Sequence, residues 1–289
     1  MYKLNKFPDG ASYVNVDSTE PVTFRTNSYE DLWHLAQYVD AFNSKFGFPP
    51  NVTIPNLLDA QADRRFNKGE SFGLKLVLKF LKSLNVKQYY IFHPHNQEVV
   101  EMYLDNVTII DNSEFIGKRV LNQLNCNPYL YDTYDYVRDN TENLILLSAD
   151  AGGFKPLMKL CNKINWEGTS ESASKSRKGG IVGEQRLPMD DFGGKDVLIV
   201  DDIAVYGGTF KGLSKLLRRR NVGKLYLAVS HITIQNHKPN PNVPNDKPMF
   251  EYFDKVFTTN SKFDNYWVEN KFGEPMKPKN LSVIKMFDV

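Results

Sequence analysis

The sequence predicts an α/β protein of two domains, each built on a mostly parallel β-sheet. Three observations carry this. Short apolar, β-rich runs alternate with segments of helical period, the alternation resumes in the second half of the chain, and 289 residues suffice for two domains.

In the first half, Val22–Phe24, Val52–Ile54, Tyr89–Phe92 and Val107–Ile110 read as strands. Between them, Tyr29–Phe42 and Phe72–Leu84 carry apolar residues at three- and four-residue spacing, which predicts helices. Asn27 or Ser28 is placed to cap the first and Ser71 the second. In the second half, Leu144–Ser148, Val197–Val200, Leu225–Val229 and Val256–Thr258 are the expected strands, with helices over Phe154–Ile164 and Phe210–Arg220. The expected division is 1–140 and 141–289, across a polar and aromatic stretch at 129–140.

Two segments read as mobile loops. Gly168–Gly180 is small, polar and basic, with little to bury. Asn236–Pro248 is rich in proline and asparagine, which a central strand or a helix does not accommodate.

A net charge of +2 gives no global electrostatic reason to expect nucleic acid or an anionic membrane as partner. Cys126 and Cys161 lack metal-ligand spacing, and no apolar run reaches the length of a signal peptide or a membrane span. The expectation is a reduced, cytoplasmic protein.

The most informative segment is Lys195–Phe210, KDVLIVDDIAVYGGTF. A buried parallel strand ends in Asp201 and Asp202, and Gly207-Gly208-Thr209 opens a helix. Ligands of open α/β sheets bind beyond the carboxyl ends of the strands. Adjacent acids there accept hydrogen bonds from vicinal sugar hydroxyls or hold a hydrated Mg²⁺. Glycines at a helix N-terminus expose amides to phosphate. The plain alternative is a tight turn with two solvated acids, but the acid pair, the strand and the glycine turn together favour a ligand site.

This segment resembles the loop of the type I phosphoribosyl family, and within it the ribose-phosphate pyrophosphokinases. The resemblance runs in order along the chain. Phe7-Pro-Asp-Gly10 is similar to an FSDG segment, Asp59–Arg65 to an ARQDRR stretch, and His93-Pro-His95 to D-L-H. Ser148–Gly153 matches S-P-D-x-G-G and Lys175-Ser-Arg177 matches K-x-R. The resemblance implies two Rossmann-like, type I phosphoribosyltransferase-like domains, an N-terminal ATP-side one and a C-terminal phosphoribosyl-binding one. It also implies Mg²⁺, a homodimer or higher homo-oligomer, and transfer of the β,γ-diphosphoryl group of ATP to the anomeric hydroxyl of a ribose-5-phosphate acceptor.

Asp201, Asp202, Tyr206, Gly207, Gly208 and Thr209 are then expected to bind ribose and phosphate. Lys175, Arg177 and His95 are expected to be catalytic, with His95 and Asp150 beside the metal. The resemblance brings Phe7, Asp9, Gln61, Asp63 and Arg64 to ATP, the first two from a neighbouring subunit, with Arg65 near its phosphates. If extended, 93–95 would project His93 and His95 from one side.

The chain departs from the family at Ala11, usually Glu, at Gln61, usually Arg, and at Val205-Tyr206, usually Asp-Thr. Tyr206 replaces a hydroxyl that helps hold a 5-phosphate with an aromatic face and a longer reach. This raises a larger acceptor such as ADP-ribose, used in rebuilding NAD⁺, beside ribose 5-phosphate. A phosphoribosyltransferase and a non-catalytic regulatory relative are the alternatives. The first would not need the N-terminal motifs, and intact Lys175, Arg177, His95 and Asp150 argue against the second.

Overall fold

The structure is a computed structural model and describes residues 2–126, 140–178, 181–239, 243, 246–269 and 273–289; for 140, 175–178 and 181–184 it describes the backbone alone. The chain divides into two compact units, Met1–Asp111 with Phe287–Val289, and Asn112–Met286. The division falls earlier than the change of composition near 140. A π-helix at Glu114–Val120 and α4 (Leu121–Gln123) belong to the second unit, where Lys255 Nζ donates to Gln123 Oε1 at 2.9 Å.

The first unit begins with an antiparallel hairpin, β1 (Tyr2–Lys6) and β2 (Ser12–Val16), which the sequence reading missed. Then follow β3 (Val22–Thr23), α1 (Tyr29–Phe46), β4 (Asn51–Ile54), α2 (Gly73–Ser83), β5 (Gln88–Phe92), α3 (Gln97–Tyr103) and β6 (Val107–Ile110). The strands form a parallel sheet in the order β3-β4-β5-β6.

Helix α1 starts where its sequence says it should. Ser28 Oγ accepts from the Asp31 amide while the Asp31 carboxylate accepts from the Ser28 amide, a reciprocal capping box. Gly47, at φ 75°, ends it in the left-handed conformation. Its buried stripe of Leu32, Leu35, Tyr38, Val39 and Phe42 joins Val52, Ile54, Leu78 and Ile91 in one core. Ser71 does not cap α2. The position before that helix is Phe72, and the Leu74 amide donates to the Ala62 carbonyl at 3.1 Å, so backbone replaces the expected side chain.

The second unit contains β7 (Leu144–Ser148), α5 (Ala151–Lys163), β8 (Ser170–Ser172), β9 (Ser174–Lys178), β10 (Ile181–Arg186) and β11 (Asp196–Ala204). It continues through α6 (Gly208–Leu217), β12 (Leu225–Ile232), β13 (Asn236–His237), β14 (Lys255–Thr259), β15 (Trp267–Glu269), β16 (Pro275–Met276) and β17 (Leu281–Ile284). Its main sheet is parallel throughout, in the order β17-β14-β12-β11-β7-β8. The apolar residues of β7, β11 and β12, including Leu147, Val197, Ile199, Leu225 and Leu227, form its core with Leu213 and Leu217 of α6.

The segment expected as a mobile loop, 168–180, is largely strand. Ser170–Ser172 pairs with β7, and β9 pairs antiparallel with β10. Edge strands need backbone partners rather than apolar side chains, so a Ser-rich run reads as loop and still pairs. Gly179 and Gly180 lie outside the described residues. Among the described residues, no helix is long and apolar enough to cross a membrane.

Candidate active site

The strand order of the second unit reverses between β7 and β11, and Asp150 follows β7 there while β11 carries Asp201 and Asp202. In an open parallel sheet this switch point is where a ligand crevice forms. Asp150 follows β7 in extended conformation and caps α5, its Oδ1 accepting from the Gly152 and Gly153 amides at 3.0 and 3.2 Å. The hydroxyls of Ser148 and Ser172 both donate to the Asp150 carbonyl, at 3.1 and 3.2 Å. Two strands thus fix the peptide of one acid.

On β11 the acids lie within the strand, not past its end. Pairing with β7 stops at Val200, whereas pairing with β12 continues through Asp201 to Ala204. The two carboxylates therefore occupy a stretch bonded on one side only. The Asp202 amide donates to Asp201 Oδ1 at 2.9 Å. Burial, then the charges of Asp202 and Asp150, push the Asp201 carboxyl well above the usual carboxylate range. Asp150, Asp201 and Asp202 thus share one electrostatic environment.

Beyond β11, Tyr206 is 74% exposed and Gly207 turns left-handed at φ 72° to begin α6. The Lys211 amide donates to the Gly207 carbonyl at 2.8 Å, closing the first turn. The first amides of α6, from Gly208 and Thr209, lie on the side where an anion is favoured. Gln185 of β10 donates through Nε2 to the Thr209 carbonyl at 3.1 Å. In the hairpin register, Lys175 stands opposite Gln185 and Arg177 opposite Val182; the side chains of Lys175 and Arg177 lie outside the described residues. Gln185 thus ties the hairpin bearing both cations to the start of α6. It stands outside every motif named from sequence.

In the first unit, Asp63 is buried and receives a bidentate pair from Arg64, Nε to Oδ1 at 2.9 Å and Nη2 to Oδ2 at 3.0 Å. Asn96 Nδ2 donates to Asp63 Oδ2 at 2.7 Å. Burial pushes the Asp63 carboxyl up, but the hydrogen bonds from Arg64 and Asn96 and the positive charge at Arg64 and His95 outweigh it and hold it below the usual range. Asp63, Arg64 and His95 are thereby brought together, with Asn96 as a partner that the sequence reading missed. Arg65 is engaged elsewhere, its Nε donating to the Glu70 carbonyl at 2.8 Å, and Gln61 is exposed.

Residues 93–95 are not extended. His93 takes φ 38° and its amide donates to the Ile110 carbonyl at 2.7 Å, so the chain bends after β5. His93 is half-buried and His95 exposed, which removes the basis for projecting both from one side. Phe7 and Asp9 occupy the tip of the β1–β2 hairpin. Asp9 accepts from the Ala11 amide at 3.0 Å, and Phe7, 53% exposed, packs on Tyr13. Gln37 and His34 of α1 hold the hairpin just below its tip through Ser12, which pairs with Lys6.

Mg²⁺ fits the acids of the second unit. Asp150, Asp201 and Asp202 offer hard oxygen donors, and a cation would relieve the negative charge crowded at Asp201. Among the described residues, no cluster of three or more His, Cys, Asp or Glu could hold a metal ion by itself. Water and substrate oxygens would complete the shell, as this ion commonly requires.

The model of the phosphoribosyl transferase domain family matches residues 117–270, more than half of the chain and nearly all of the second unit. The chain belongs to that family. Relatives similar to it over more residues than this domain include the ribose-phosphate pyrophosphokinase of Saccharolobus solfataricus. That relative is 23% identical over 235 residues, covering 79% of this chain and 75% of the relative. The ribose-phosphate pyrophosphokinase of Thermococcus kodakarensis is 25% identical over 235 residues, covering 79% and 76%. The crystal structure of phosphoribosylpyrophosphate synthetase from Mycobacterium smegmatis matches with a TM-score of 0.71 at 15% identity, over 99% of this chain and 86% of that one. These matches bear out the family resemblance and the α/β fold read from the sequence.

Proposed function

We propose that this chain is an ATP-dependent pyrophosphokinase acting on a ribose-5-phosphate acceptor. The observation that carries the reading is the acid pair Asp201–Asp202 on a half-paired strand at the sheet's switch point, followed by the left-handed Gly207 turn into α6. The pyrophosphokinase relatives, which match across most of the chain, support it.

In the proposed reaction the anomeric hydroxyl of the acceptor attacks the β-phosphorus of ATP. A bond forms from the anomeric oxygen to that phosphorus, its bond to the α,β-bridging oxygen breaks, AMP leaves, and the hydroxyl proton passes to solvent. Asp201 and Asp202 would accept hydrogen bonds from the vicinal ribose hydroxyls, and the amides of Gly208 and Thr209 would bind the acceptor's phosphate. Lys175 and Arg177 would bring positive charge to the transferred group, where phosphoryl transfer needs positioning and neutralisation. In the first unit, Gln61, Asp63, Arg64 and His95 would hold the nucleotide phosphates, and Phe7 and Asp9 the adenine of a neighbouring copy. Asp150 and His95, each in its own unit, are the candidates beside Mg²⁺, which would neutralise phosphate oxygens.

Exposed Tyr206 favours a second reading of the acceptor, because its ring stands where a compact phosphate site would use a threonine hydroxyl. ADP-ribose would then extend along that ring and take diphosphate on its terminal ribose. The decisive experiment incubates the full chain with Mg-ATP and either ribose 5-phosphate or ADP-ribose and identifies products by mass. AMP formed with a diphosphorylated acceptor supports the pyrophosphokinase. Turnover of ribose 5-phosphate alone removes the ADP-ribose reading. Absence of AMP with both acceptors returns the chain to a phosphoribosyltransferase or a regulatory role.

A further inference from the structure

Of the proline-rich segment 236–248, the structure describes 236–239, 243 and 246–248, and Asp246 with the turn after it meets the first turns of α6. Lys211, the fourth residue of that helix, makes a buried ion pair with Asp246, Nζ to Oδ2 at 2.7 Å, with side chains 11% and 4% exposed. Tyr252 donates its hydroxyl to the other oxygen of Asp246 at 2.8 Å, and Lys211 and Lys215 lie over the Tyr252 ring at 5.7 and 5.5 Å. Between Asp246 and Tyr252, the fully buried Met249 runs under Gly207 so closely that a Cβ on that glycine would overlap its side chain. His237, at the other end of the segment, packs edge-on against Phe250 at 4.6 Å.

A buried ion pair is a weak source of stability, because desolvating both charges offsets most of their attraction. Its usual value is geometric. A lysine near a helix N-terminus is also unfavourable beside the helix dipole, and the Asp246 carboxylate cancels that charge. Lys211 joins the parts into a closed loop: its amide holds the Gly207 carbonyl, its ammonium holds Asp246, and the chain from Asp246 returns Met249 to Gly207.

We infer that Lys211, Asp246 and Met249 are positioning residues that strap the stretch from Asp246 to Tyr252 beneath the Gly207 turn and fix the amides that follow it for the acceptor's phosphate. The inference rests on the reading that Asp201–Thr209 binds a phosphorylated sugar. It gives Asp246 and the turn that follows it a function: anchoring one side of the acceptor site.

The test is calorimetric binding of ribose 5-phosphate, and separately of Mg-ATP, to the full chain. The variants are Met249→Ala, Met249→Leu, Asp246→Asn and Tyr252→Phe, with Asp201→Asn/Asp202→Asn as the control. Met249→Ala and Asp246→Asn are expected to weaken ribose 5-phosphate binding about tenfold while Mg-ATP binding stays within about twofold, since small misplacements of a binding turn are costly. Met249→Leu, which keeps the volume under Gly207, is expected to retain wild-type affinity. Should Asp246→Asn fold poorly, Tyr252→Phe removes one bond to the same carboxylate and is expected to weaken the sugar by about twofold to fivefold. Unchanged ribose 5-phosphate affinity in folded Met249→Ala and Tyr252→Phe overturns the strap, as does parallel weakening of Mg-ATP. If the acid-pair control also binds normally, or the wild type does not bind the sugar, the acceptor-site reading itself falls and takes the strap with it.

Discussion

Asn96 bridges two loops of the first unit, its Nδ2 donating to Asp63 Oδ2 at 2.7 Å while its Oδ1 accepts from the Val99 amide at 3.1 Å. One side chain thus caps α3 and holds the buried acid that clamps Arg64. Asn96→Ala should cost about 1 kcal/mol for the lost cap, with a further penalty at Asp63. Because the Asp63 carboxyl is held below the usual range, its stabilisation is present above the ordinary carboxylate value of 3.8 and disappears as pH falls through the lower folded value. Asn96→Ala removes one of the bonds that lower it, so Asp63 should titrate at higher pH in the variant. NMR titration of the Asp63 carboxyl carbon measures this; an unmoved titration would show that Arg64 alone sets the charge state.

Legibility from sequence followed burial. The apolar runs of β7, β11 and β12 could be seen because they are buried on both faces, and β4 and β5 because their buried residues alternate along the strand. Ser28 could be seen because a capping box is local. The strands β8, β9 and β10 could not, since their stability lies in backbone pairing at an edge and their Ser, Lys and Gly content mimics a loop. The acid pair of the site was equally local and equally visible. Its structural partners were not: Gln185 reaches Thr209 across 24 positions, and Lys211 reaches Asp246 across 35. Such pairs depend on how elements dock, which no window of sequence records. The bend at His93 was missed for a different reason. A residue before proline is normally extended, and His93 departs from that preference at φ 38° just where the β5–β6 pairing ends.

Asp201 leads to a prediction about protons. Its carboxyl is raised well above the usual range, so its contribution to stability is complete below the ordinary value of 3.8 and declines as pH rises through the folded value. A sugar or a cation that binds the ionised pair releases a proton wherever Asp201 is still protonated. Calorimetry of ribose 5-phosphate with Mg²⁺, repeated over a range of pH in buffers of different ionisation enthalpy, should show proton release that grows as pH falls. Asp201→Asn should abolish that release. Binding heats independent of buffer in the wild type would contradict it.

His237 gives the acid limb of stability. Its Nε2 is buried without a hydrogen-bond partner among the described residues, and burial, with the charge of Lys211, pulls the imidazole down to about 4 from 6.5, against a hydrogen bond to Ile234. The neutral ring is therefore favoured in the fold, so stability is full above pH 6.5 and is lost as pH falls from 6.5 toward 4. The whole effect is about 3 kcal/mol at most. His237→Phe should flatten urea-denaturation midpoints across that window relative to the wild type. Equal slopes in the two proteins would assign the acid sensitivity to other groups.

Gln185 should matter for turnover rather than for binding. It stands opposite Lys175 in the β9–β10 register, and its amide is the bond from that hairpin to the Thr209 carbonyl. Under the proposed reaction, removing it frees the hairpin whose cations would meet the transferred group. Gln185→Ala should then lower kcat about tenfold, while ribose 5-phosphate affinity, assigned by that proposal to the acid pair and the α6 amides, stays near wild type. Gly212→Ala tests the same contact from the other side, because a Cβ there would strike Gln185 Oε1. Alanine favours a helix interior over glycine by about 1 kcal/mol, so α6 itself should not be weakened by the change. A drop in kcat from Gly212→Ala, with no further drop in the double variant, would mean that both substitutions break one shared contact. Independent, multiplicative losses would mean that the Gln185–Thr209 bond is not what couples the hairpin to the helix.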